Sequence, residues 1–183
     1  MKTIGILLAA GKSQRFGPED KLLSTYQGQP LCRYAAEAMR ASDADGLVVC
    51  ISNPSLEPEF DGFQVTRCGG LQSDSLKAGI KAAIALNADR ILVALADMPH
   101  ITTGTLNTLL ETKASLAACT KNGNRPTVPA LFDHTYFDAL LKLEGDQGAR
   151  MLLQQVAAEN MVQISPVEAF DVDTQADLSG PQA

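Results

Sequence analysis

Apolar positions in this chain follow two rhythms. The first is the short unbroken run closed by turn residues. TIGILLAA (3–10), GLVVCIS (46–52) and RILVALAD (90–97) have it, and each predicts a strand buried on both faces. GFQVTRC (62–68), SLAACT (115–120), TVPALF (127–132) and MVQISPV (161–167) predict further strands. The second rhythm is helical. LCRYAAEAMRAS (31–42), SDSLKAGIKAAIALNA (73–88), TTGTLNTLLETKA (102–114), TYFDALLKL (135–143) and GARMLLQQVAAE (148–159) predict helices. Ser73 is a candidate N-cap for the helix it opens. Strands alternate with helices through the first half, which predicts an α/β fold on a largely parallel sheet.

Composition narrows the class without changing that picture. The 183 residues suit one domain, and 45% hydrophobic with 20% charged is enough to bury a core. A net charge of −6 argues against nonspecific binding to nucleic acid. Cys32, Cys50, Cys68 and Cys119 form no C-x-x-C pair, so a zinc site lacks support and reduced cysteines are expected. No apolar run reaches membrane-spanning length and no secretory leader precedes the first strand, which predicts a cytoplasmic protein.

Against this acidic background, the loop after the first strand is basic. It holds Lys12, Arg15 and Lys21, with Gly11 and Gly17 as points of backbone freedom. Gly11-Lys12-Ser13 resembles the end of a P-loop, but Ile6 stands where the first glycine of that motif must be. The dinucleotide pattern fails as well, because Ser13 occupies its second glycine position. What remains is a cationic loop beyond the carboxyl end of a strand, where open α/β sheets bind ligands. Its three cations suit a polyphosphate. Asp97 ends another buried run, and Asp171 and Asp173 lie two apart near the C-terminus. Carboxylates combined with a phosphate loop point to a Mg²⁺–nucleotide site, since Mg²⁺ takes one or two carboxylates plus phosphate and water oxygens.

Four segments in order, LAAGKSQRFGPEDK (8–21), LADMP (95–99), GDQGAR (145–150) and DVDTQADL (171–178), resemble the MobA-like nucleotidyltransferases, and within them the molybdenum cofactor cytidylyltransferases. The resemblance implies a doubly wound, Rossmann-like nucleotidyltransferase fold with a mostly parallel central sheet. It implies a single domain over 1–178, and the last residues, SGPQA (179–183), read as a loose tail. Ala10, Gly11, Lys12, Ser13, Arg15 and Lys21 would hold the nucleotide, with Gly70 and Ser75 near base and ribose. Asp97 and Asp173 would hold Mg²⁺, with Asp171 as runner-up to Asp173. Asp146 and Arg150 would meet the acceptor. Lys21, Arg15 and Asp97 would carry the catalysis.

Three positions depart from or qualify that pattern. Phe16 replaces the usual Met, and Thr127 stands where a glycine commonly precedes V-P-A-L-F. Ala10 stands where guanylyl-transferring members usually have glycine, which leans toward CTP over GTP. The implied reaction moves CMP from CTP to the phosphate of molybdenum-molybdopterin, a phosphorylated pterin cofactor, with release of pyrophosphate. A molybdoenzyme would receive the product, and neither nucleic acid nor membrane is expected as a partner. The alternatives are nucleotidyl transfer to another phosphorylated acceptor, guanylyl transfer included, and a non-catalytic carrier of the finished cofactor.

Overall fold

The computed structural model describes residues 1–11, 16, 19–69, 72–145 and 149–181. The apolar run at 3–10 forms β1 (Thr3–Ala9). β4 (Gly46–Ile51), β5 (Gln64–Arg67) and β6 (Arg90–Leu95) come from the runs predicted as strands. A small hairpin, β2 (Thr25–Tyr26) and β3 (Gln29–Pro30), precedes helix α1 (Leu31–Arg40). Helices α2 (Gln72–Ala85) and α3 (Thr103–Glu111) flank β6 in sequence. Then come β7 (Leu116–Thr120), β8 (Pro126–Asp133), α4 (Phe137–Leu141), α5 (Arg150–Leu153) and β9 (Met161–Gln163).

Among the described residues, seven strands form one sheet in the order β5-β4-β1-β6-β8-β7-β9. β1 pairs in parallel with both β4 and β6, and β4 in parallel with β5. β8 runs antiparallel to β6 and β7, and β7 is parallel to β9. One reversed strand thus interrupts an otherwise parallel sheet, which bears out the doubly wound, mostly parallel expectation.

Both faces of the sheet are covered, so its central strands read as unbroken apolar runs. From β1, Ile4 and Ile6 pack with Leu76 and Ile80 of α2 and with Phe137 and Leu140 of α4. Leu7 and Ala9 face the other way, toward Ala35 and Met39 of α1 and Leu106 of α3. Gly79 lets α2 lie close on the sheet. A Cβ there would sit 2.7 Å from Ile6 Cγ2 and 2.9 Å from Cys50 Sγ.

The chain winds outward from β1 through β4 to β5, then returns to place β6 on the opposite side of β1. The order reverses between β1 and β6, and a crevice for ligands opens beyond the carboxyl ends of such strands.

Two local expectations change. α2 starts at Gln72, so Ser73 lies inside its first turn, buried, and is not the cap. The helices expected over 135–143 and 148–159 shorten to α4 and α5. His134–Tyr136 forms a 3-10 turn capped by Asp133. After α5 a turn, closed by the Val156 N–H donating to the Leu153 carbonyl at 3.0 Å, buries Val156 as it does Leu153 before the chain feeds β9. Near the C-terminus, a 3-10 turn spans Gln175–Ser179 and Gly180 is buried.

Candidate active site

Three charged side chains from distant parts of the chain meet at the switch point. Lys21 opens a 3-10 turn, Lys21–Leu23, after the loop that follows β1. Asp97 lies in the turn after β6, and Asp173 comes from the C-terminal segment. Lys21 Nζ donates to Asp97 Oδ2 at 2.7 Å and lies 3.9 Å from Asp173 Oδ1. The Lys21 side chain is only 9% exposed, so this ammonium has given up its water for carboxylate partners.

Each of the three is held from its own backbone. Asp20 caps the Lys21 turn, accepting the Leu22 N–H on Oδ1 at 3.0 Å. Asn53, just past β4, donates to Asp20 Oδ2 at 2.6 Å. The Val172 N–H donates to the Asp97 carbonyl at 3.0 Å and ties the C-terminal segment to the end of β6. Thr174 and Asp177 form a capping box on the terminal 3-10 turn. Asp177 Oδ2 accepts from the backbone N–H groups of Asp173 at 3.0 Å and Thr174 at 2.7 Å. Tyr26 Oη and His100 Nε2, 2.7 Å apart, join the β2–β3 hairpin to the turn that Asp97 begins.

The carboxyls of Asp97 and Asp177 are shifted in opposite directions. Burial raises the Asp97 pKa, and the nearby charge of Asp171 adds to the rise, while Lys21 opposes both. Asp97 Oδ1 is buried with no hydrogen-bond partner. A buried carboxylate oxygen with no partner, beside a lysine at a sheet's switch point, has the chemistry to ligate a cation. Asp97 and Asp173 together would fit a divalent ion such as Mg²⁺, which takes one or two carboxylates alongside phosphate and water. Among the described residues, no cluster of three or more His, Cys, Asp or Glu could hold a metal, so an all-protein cage is not offered.

Asp177 lies on the other side. The N–H groups of Thr174 and Asp173 hold its carboxyl below the usual range. Its stabilising effect is present above the unfolded pKa, about 4, and is lost as pH falls through the lower folded value. Asp177→Ala should cost about 1 kcal/mol at neutral pH. In urea titrations the gap from wild type should shrink below pH about 4; a gap unchanged with pH would refute the capping role.

Other candidates fall into place as follows. Ala10 is buried just beyond β1, and its carbonyl accepts from Ser52 Oγ at 3.4 Å. Gly11 is exposed, and among the described residues a Cβ there would meet nothing within 4 Å. Ser75 is buried in α2, and Arg150 is exposed at the start of α5. Lys12, Ser13, Arg15, Gly70 and Asp146 lie outside the described residues. Arg67 is exposed and paired with Glu57 at 2.8 Å, a solvated strand end. The sequence reading missed Asp20, Asn53, Tyr26 and Asp177. Only Asp177 had a local signal, the Thr-x-x-Asp spacing of a capping box.

Residues 5–161 match the family model described as the MobA-like NTP transferase domain. The chain belongs to this family. Its resemblance to the MobA-like nucleotidyltransferases is thereby borne out, and the chain is placed among nucleotidyltransferases. This MobA-like chain is 29% identical over 188 residues to the purine catabolism protein PucB of Bacillus subtilis, covering 93% of this chain and 91% of that protein. It is also 29% identical over 186 residues to a Thermococcus sibiricus protein named "Probable molybdenum cofactor guanylyltransferase", covering 96% and 90%. Among solved structures, Rv0371c of Mycobacterium tuberculosis superposes with a TM-score of 0.83 at 24% identity, covering 97% and 96%. That likeness shows the fold alone. No helix among the described residues of the MobA-like chain is long and apolar enough to cross a membrane.

Proposed function

We propose that this protein transfers CMP from CTP to the phosphate of molybdenum-molybdopterin and releases pyrophosphate. The observation that carries the reading is the Lys21 ammonium set against Asp97 and Asp173, with Asp97 Oδ1 buried and unpartnered. Asp97 and Asp173 would hold Mg²⁺, which supplies Lewis-acid neutralisation of nucleotide oxygens when bound.

The obstacle to the reaction is charge, since both reactants are anions. Lys21 would hold the α-phosphate, where negative charge is shared during in-line attack. Lys12 and Arg15 would grip the β- and γ-phosphates and steady the leaving pyrophosphate. These are positioning and electrostatic roles. A phosphate nucleophile is already ionised at neutral pH, so no general base is needed. The cysteines fit that view. Burial pushes the thiols of Cys32, Cys50 and Cys119 up to about 12, which leaves them protonated and poor as nucleophiles. Arg150 and Asp146 are the acceptor residues in this reading, and the product passes to a molybdoenzyme in the cytoplasm.

Ala10 supports CTP, because its Cβ occupies a position that is usually glycine in guanylyl-transferring members. The name of the Thermococcus relative supports GTP as the second reading. The test is pyrophosphate release from CTP, GTP and ATP with Mg²⁺, with and without molybdenum-molybdopterin. Acceptor-dependent release from CTP is expected. Release from GTP instead would move the assignment to guanylyl transfer. Tight binding of the pterin with no release from any nucleotide would make the protein a carrier.

A further inference from the structure

Lys21 and a divalent cation compete for the same carboxylates. The ammonium lies 2.7 Å from Asp97 Oδ2 and 3.9 Å from Asp173 Oδ1. It therefore stands within ion-pair reach of both groups that would hold the cation. Asp97 keeps one further oxygen, the buried Oδ1 without a partner. The lysine has little room to swing into water, because its side chain is 9% exposed and its turn is pinned by Asp20 and Asn53.

A divalent ion arriving alone would thus share two carboxylates with a fixed ammonium, and the two cations would repel at short range. A nucleotide removes the conflict. Its phosphates offer Lys21 a new charge-assisted partner and give the ion the remaining oxygens it needs. We propose that Lys21 is the resident counter-cation of the Asp97–Asp173 pair, so that the divalent ion enters as a metal–nucleoside triphosphate complex and does not load the free protein first. The inference rests on the reading of Asp97 and Asp173 as the metal carboxylates.

The test measures Mn²⁺ binding to the full chain without nucleotide, by calorimetry and by the Mn²⁺ EPR signal. Wild type should bind Mn²⁺ weakly alone and more tightly with a non-hydrolysable CTP analogue. Lys21→Met keeps the length of the side chain and removes the charge. It should bind free Mn²⁺ about ten- to hundredfold more tightly, the scale on which one neighbouring charge alters a carboxylate's hold on a cation. Mn²⁺ should also raise the Tm of the variant more than that of wild type. Lys21→Gln is the second variant, with circular dichroism to confirm folding of each. Mn²⁺ affinity at or below the wild-type value in both variants overturns the counter-cation role. Asp97→Ala placed on Lys21→Met should abolish the gain. If the gain survives without Asp97, the metal-site reading fails along with the proposal.

Discussion

Asp97→Ala should lower turnover by about two orders of magnitude, equivalent to about 3 kcal/mol of transition-state stabilisation, while the protein stays folded. The backbone link at this position survives the change, since the Asp97 carbonyl still accepts from the Val172 N–H. Lys21 retains Asp173 within ion-pair reach. What disappears is a buried charge whose Oδ1 makes no hydrogen bond in the free protein. Asp97→Asn keeps the shape and removes the charge, so it should be as impaired as Ala if charge is what matters. Lys21→Ala should show a loss of similar size. The two side chains are in direct contact, so their losses should not add. The double variant should be little worse than the poorer single. Acceptor-dependent pyrophosphate release gives turnover, and thermal melts followed by circular dichroism give folding. Wild-type turnover in either single variant would remove these residues from the catalytic site.

The parts of this site that were legible in the sequence share a physical origin. β1 and β6 announce themselves because burial on both faces leaves no polar alternation, and the loop after β1 and Asp97 after β6 inherit their positions from those strands. Knowing that the two strands are neighbours takes the winding rule for α/β sheets, and placing Asp173 beside Lys21 took the family resemblance. Contacts that span long stretches of chain left no local trace. Asn53 reaches Asp20 across 33 positions, and Tyr26 reaches His100 across 74. Nothing in a short window distinguishes Asn53 from any other turn asparagine. The helix errors are local. Gln-Ser-Asp-Ser offers several capping side chains in a row, and the helix begins ahead of the first of them. The apolar spacing of 148–159 continues a helical rhythm, but its later members are buried by a turn, so the rhythm describes burial without describing backbone.

Tyr26→Ala should be the most damaging change to stability in the neighbourhood of the site, at about 3 to 5 kcal/mol for loss of a large buried side chain. Tyr26 is fully buried. Its ring packs edge-on against Tyr34 and His100, with centroids 5.6 and 5.7 Å away. Around it converge the hairpin that follows Lys21, the turn that carries Asp97, and the C-terminal turn, where a Cβ on Gly180 would lie 3.5 Å from the Tyr26 hydroxyl. These are the segments that bring Lys21, Asp97 and Asp173 together, so the cavity would loosen all three at once. Tyr26→Phe separates packing from polarity. It keeps the ring and loses the 2.7 Å contact between the hydroxyl and His100 Nε2, a change of about 1 kcal/mol. Urea unfolding of the two variants measures both quantities. Activity measured under conditions where each variant is still folded then reads placement alone. Tyr26→Ala should retain reduced turnover there, because Lys21 has lost the hairpin that follows it as a fixed support, whereas Tyr26→Phe should stay close to wild type. Equal stability losses in the two variants would mean that the hydroxyl, and not the packed ring, joins these segments.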